Sequence, residues 1–174
     1  MSQTAPGFEL SQPLVAELQY EAQITRNCLE RIPEDKFDYK PHEKSMSFAQ
    51  LASHITEMYL WYDATLNAPE LDFATMDYQP FIAKTNEELL STFDKNVELA
   101  AGILGGTSNE DLMVEWTMRN GEEVIFKMPR IQVVRGMLMN HLTHHRGQLT
   151  VYMRLNDIAV PSIYGPSADE GQMS

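Results

Sequence analysis

A chain of 174 residues with 43% hydrophobic content can bury one sizeable core and is short for two domains. Its 13 basic against 25 acidic side chains give a net charge of -12, and no Lys/Arg cluster breaks that field, so nucleic acid would be approached against repulsion. A single cysteine, Cys28, excludes an intramolecular disulfide, and neither a leader-like start between Met1 and Ser11 nor an apolar run near the ~20 residues of a membrane span is present. The expectation is one cytoplasmic domain, residues 1–174, with no nucleic-acid or membrane partner.

In chain order, Leu14, Val15, Leu18, Ala22, Thr25, Cys28, Leu29 and Ile32 recur at helical spacing until Pro33 ends the first helix. Ser47 with Gln50 three residues later is a capping-box signature, predicting a second helix from about Phe48 to Asn67, stopped before Pro69. Residues 69–84 hold two prolines and no periodicity, which predicts a long crossover loop. Thr85 with Glu88 is a second capping box, and the third helix follows, with Gly105-Gly106 as its expected C-cap. Trp116 and Met118, then Val124, Phe126 and Met128, alternate about Asn120-Gly121, predicting a small β-hairpin. Pro129 suits a first helical turn, so a fourth and longest helix is expected from Ile131 to about Leu155, followed by an extended tail over 157–174. The fold class is therefore all-α: a four-helix bundle with a long crossover between its second and third helices and a hairpin before the fourth.

Chemistry concentrates on histidine. At ~100° per residue, His141 and His145 lie one turn apart on a stripe with Val134, Leu138, Gln148, Tyr152 and Leu155, which reads as the inward face. Two imidazoles at i and i+4 can reach one ion, as in the helical half of many metal sites. His54 lies at the edge of the second helix's apolar sector formed by Leu51, Ile55, Met58 and Tyr62, and is the third candidate ligand. Hydrogen-bonded core histidines are the plainer reading for one such residue, but three together favour a divalent-metal site at His54, His141 and His145. With no fourth protein ligand, positions stay open for a small-molecule substrate. His144 points about 60° away from His141, and His42 sits in a loop, so both rank lower.

Other chemistries are poorly served. No Glu separates His141 from His145 as a zincin needs, and the paired Glu-x-x-His of ferritin-like di-metal centres is missing, since Glu57 follows His54 in reverse order and once only. Cys28 falls on the apolar stripe of the first helix, which suits a structural thiol rather than a nucleophile.

The segment Ser47-Phe48-Ala49-Gln50-Leu51-Ala52-Ser53-His54 and the run Asn140-His141-Leu142-Thr143-His144-His145-Arg146-Gly147-Gln148-Leu149 resemble the DinB family. Tyr152-Met153-Arg154-Leu155 and the tail from Val160 to Glu170 resemble one branch of it, so the likeness spans nearly the whole chain. The resemblance implies a four-helix bundle, frequent homodimers, and zinc, nickel or a similar ion on positions matching His54, His141 and His145. It also implies kinship with thiol-dependent enzymes such as mycothiol-dependent maleylpyruvate isomerase and bacillithiol transferases. The leading functional expectation is accordingly a metal-dependent transferase using a low-molecular-weight thiol. A metal-dependent hydrolase and a non-catalytic stress-response or metal-binding protein are the alternatives.

Overall fold

A computed structural model describes residues 8–171; the first seven residues of the polar start and the last three of the tail lie outside it. The chain is mostly helical with a small three-stranded sheet. Helix α1 is Ser11–Leu29. The second predicted helix is present in two pieces, α2 (Phe48–Glu57) and α3 (Trp61–Asn67), joined by a tighter 3₁₀ turn over Met58–Leu60. A side chain distant in sequence accounts for the break: the buried Asn96 side chain donates to the Thr56 carbonyl at 3.0 Å, the group that Leu60 N–H would use in a continuous α-helix. Both halves of the Ser47 capping box form, Gln50 N–H to Ser47 Oγ at 3.2 Å and Ser47 N–H to Gln50 Oε1 at 2.8 Å.

The crossover is not wholly loop. It carries strand β1 (Glu70–Asp72), which pairs in parallel with the first hairpin strand, and ends at helix α4 (Asn86–Gly106). Thr85 Oγ1 caps Glu88 N–H as expected, but the Glu88 carboxylate turns to Lys84 N–H, so that box closes one residue early. Gly105 and Gly106 remain helical rather than left-handed, and a short helix α5 (Asn109–Met113), capped by Ser108, follows. The hairpin is β2 (Glu115–Asn120) and β3 (Glu123–Pro129), turning on Gly121-Glu122 with Gly121 at φ +62. Positive φ at the first turn residue alone is the type II′ pattern, so Asn120 ends a strand instead of sharing the turn.

The last helical stretch is also segmented. Helix α6 (Arg130–Gln132), with Pro129 as N-cap, runs into a π-helical segment, Val133–Met139, and then α7 (Asn140–Leu155). Asn140 N–H bonds to the Arg135 carbonyl, five residues back, so the path takes an extra residue per turn just before His141. Uniform 100° steps across this segment therefore misplace the faces. The most buried stripe of α7 is Leu142, Arg146, Leu149 and Met153, while Gln148 and Leu155 are exposed. His141 and His145 lie at the border of the buried face rather than at its centre.

Helix α1 packs on α4 and α7, and α2 packs on the same two from the other side. Their shared core includes Leu18, Phe48, Ile55, Phe93 and Leu149. A smaller apolar cluster, Leu71, Trp116, Met118 and Val133, welds the sheet to the helices, with Trp116 Nε1–H donating to the Ala64 carbonyl at 3.0 Å. No helix among the described residues is long and apolar enough to cross a membrane.

The tail is a strap, not a free extension. Asp157, at φ 55, turns the chain out of α7, and the strap is then fastened by Arg31–Glu170 at 2.6 Å and Arg154–Asp169 at 2.5 Å. Tyr164 reaches the Glu21 carboxylate at 2.8 Å and the Arg146 guanidinium, whose ring-face contact is 5.2 Å.

Candidate metal centre

The capping box at Ser47 starts α2, and His54 follows two turns later, near the end of that helix and half-buried. Contact between α2 and α7 brings it to the edge where His141 and His145 emerge. Ring centroids of His54 lie 5.6 Å from His141 and 4.7 Å from His145, and one ring nitrogen from each of the three lies within 4.8 Å of the others.

Inside this group His141 Nε2 and His145 Nε2 are 2.7 Å apart. The opposite nitrogen of His145, Nδ1, is held by Gln148 Oε1 at 2.8 Å. With its outer nitrogen donating to Gln148, His145 turns its Nε2 lone pair inward, so the short contact is closed either by an N–H of His141 or by a cation held between the two nitrogens. The residues fit a divalent ion, with Gln148 fixing the orientation of the His145 ring. Gln148, three residues after His145, is the orienting partner that helical spacing alone could have exposed. Replacing it with leucine should weaken metal affinity by about 10- to 100-fold. Competition with a fluorescent chelator measures this, and an unchanged affinity would remove Gln148 from the centre.

Burial, reinforced by His145 and His141, lowers the His54 pKa to about 4. His141 is lowered by burial and then by His145 and His144, and His145 chiefly by burial. Neutral imidazoles are the ligating form, so the site stays ready below the ordinary histidine value of ~6.5. Below that value the unfolded chain binds protons that folded His54 refuses, so stability of the metal-free protein should fall as pH drops from about 6.5 towards 4. Thermal melts of wild type and His54→Asn across that window test this. The variant should lose less stability on acidification, and parallel curves would contradict the shift.

The other two histidines are placed apart from the group. His144 is exposed, its ring 5.0 Å from that of His145 but outside the converging nitrogens. His42 is exposed in the loop before α2, its Nδ1 accepting from Lys44 N–H at 3.1 Å. A His42→Ala variant should keep full metal content by elemental analysis; loss as complete as in His54→Ala would show that the third ligand is His42.

Around His54 the crossover loop forms a wall. Glu57, buried one turn further along α2, accepts from Phe81 N–H at 2.7 Å and from the Tyr78 hydroxyl at 2.9 Å, and Ser53 Oγ accepts from Ala83 N–H at 2.9 Å. The loop is thereby pinned to the helix that carries His54, leaving between them a cleft of about 540 Å³ that His54 lines. A second, apolar pocket of about 60 Å³ is lined by His54 and His141 together with Met58, Trp61, Met137 and Leu138.

The sequence profile of the DinB family matches residues 1–173. The chain belongs to the DinB family. Two relatives from Bacillus subtilis strain 168 are similar over most of their length. The uncharacterized protein YrdA is 25% identical over 171 residues, covering 94% of this chain and 93% of that protein. The uncharacterized protein YjoA is 26% identical over 147 residues, covering 83% and 89%. The crystal structure of the DinB-like YjoA superposes with a TM-score of 0.68 at 22% identity, covering 87% of this chain and 97% of that one. A DinB-like protein from Bacillus cereus ATCC 10987 gives 0.67 at 21%, covering 87% and 95%. These structures support the DinB-like fold.

Proposed function

We propose that this DinB protein is a metal-dependent S-transferase, in which His54, His141 and His145 hold one zinc or nickel ion within a four-helix bundle. One observation carries the reading: the converging group consists of three imidazoles, with no carboxylate or thiol completing it among the described residues. Such a donor set leaves positions open to an exogenous ligand. When bound, the ion supplies the positive charge that keeps a low-molecular-weight thiol as thiolate at neutral pH.

The chain's own residues fit this division of labour. Cys28 is fully buried, and burial pushes its thiol up to about 11, so the sulfur nucleophile must come from outside. Gln148 holds His145 at Nδ1 and so aims Nε2 at the centre. In the transfer an S–C bond forms at the electrophile, its leaving group departs with the bonding pair, and the thiol proton passes to solvent. The test is elemental analysis of protein purified without chelator, then a panel of thiols, bacillithiol and mycothiol included, against 1-chloro-2,4-dinitrobenzene. Turnover that chelation removes and added metal restores is expected; turnover indifferent to metal, or none with any thiol, would overturn the reading.

Hydrolysis is the second reading, favoured by Glu57, a buried carboxylate lining the same cleft as His54. Omitting the thiol from the same assay separates the two. The family resemblance further supports a homodimer, for which light scattering should give twice the chain mass at micromolar concentration.

A further inference from the structure

The cleft beside His54 says more about its occupant than the histidines do. Its volume of about 540 Å³ falls in the roughly 300–1,000 Å³ range of small-molecule sites. An adjoining lobe of about 340 Å³ shares Glu57, Trp61 and Tyr78 as a common wall. Large apolar side chains that ordinary folding would bury stand open along it: Met46, Phe73 and Ile82 in the main cleft, Leu60 and Met76 in the adjoining lobe. Trp61 and Phe73 pack against each other at 6.1 Å between centroids, tilted by 54°, and form an aromatic stretch of the wall. Contiguous exposed apolar surface of this kind marks a binding site.

Charge on the walls has one dominant sign. Glu57 and Asp77 are acidic, no arginine lines either lobe, and Lys44 is the sole cationic side chain among the described lining residues. Glu57 keeps its two protein donors, Phe81 N–H and Tyr78 O–H, neither of them a cation, and Lys44 alone stands against Glu57 and Asp77. An acidic ligand would lose its hydration there and meet a carboxylate instead of a guanidinium.

We infer that the cleft between α2 and the crossover loop binds the acceptor substrate, and that the part of this substrate lying against the loop is apolar and aromatic, without an acidic group. As an assignment of the acceptor it rests on the proposed thiol transfer; what the cleft itself selects does not depend on that reaction. The polar, charged part of a thiol cofactor is accordingly seated elsewhere about the histidines.

Isothermal titration of the full-length protein with 2-naphthalenemethanol and 2-naphthoate tests the selection, because the two probes share a ring and differ in charge. The neutral probe should bind at least about tenfold more tightly to the metal-free protein, in which no ion at His54 offsets the acidic walls. Ile82 is 46% exposed, so Ile82→Arg leaves the core intact and places a guanidinium in the cleft. This variant should narrow the preference to about threefold or reverse it. Equal affinities in the parent, tighter naphthoate, or no neutral binding would overturn the inference. So would an unchanged preference in Ile82→Arg, which would locate the probes at another surface. A protein that failed the metal assay yet preferred the neutral probe would sink the proposed reaction and leave the selectivity of the cleft standing.

Discussion

Replacing His141 and His145 together by alanine should take the divalent-ion content from about one per chain to near none. Both rings sit at the border of the buried face, so their removal leaves the stripe of Leu142, Leu149 and Met153 in place and the helix intact. One remaining imidazole, His54, cannot hold an ion against dilution, since affinity depends on several ligands acting at once. Elemental analysis of the double variant beside wild type is the measurement, with circular dichroism to establish that the helices survive. Metal content unchanged in a folded double variant would mean that the ion is bound elsewhere or adventitiously.

The second large effect concerns stability and lies away from the histidines. Arg146 is 1% exposed, and its Nη1 meets the Glu21 carboxylate at 2.6 Å and the Thr25 hydroxyl at 3.2 Å. Tyr164 from the strap closes the network by contacting both charges. Arg146→Met preserves much of the volume but strands the carboxylate of Glu21 in the interior. Breaking a buried pair from one side costs about 3–5 kcal/mol, which for a chain of this size lowers Tm by on the order of 10 °C. Removing both charges, as Arg146→Met with Glu21→Leu, should recover at least half of that loss, because no group is then left unpaired. Differential scanning calorimetry on the two variants decides it. A single variant within about 1 kcal/mol of wild type would show that the pair is solvated and not interior.

Much of the helical order and the His141/His145 pair are legible in the sequence alone, because each rests on a local rule. Ser47 and Gln50 cap reciprocally, Pro33 ends α1, and the 3.6-residue period finds the apolar stripes. What escaped depends on distant partners. The break after Glu57 is made by Asn96, forty residues away, and the strand in the crossover exists only because β2 is there to pair with it. The π segment before His141 shifts a face by less than a turn, enough to move the histidines from the centre of the buried stripe to its border. Two signals were present and unread: Glu21 beside Ala22 on the apolar stripe of α1, and Arg146 between Leu142 and Leu149 on that of α7. Charges at core positions on two helices are most simply explained by each other.

The parallel pairing of β1 with β2 also has a kinetic side. Its partners, such as Leu71 and Met118, are about 47 residues apart in sequence, whereas β2 and β3 meet across a two-residue turn. Loop closure over that separation must be met before the pairing returns any energy, so the hairpin forms first and the crossover docks onto it late in folding. An element that joins late contributes little to the transition state and is among the first to detach in local opening. Residues 68–84 thus form a wall of the cleft beside His54 that belongs to the late-docking part of the fold, and substitutions there can reshape that wall without touching the histidines.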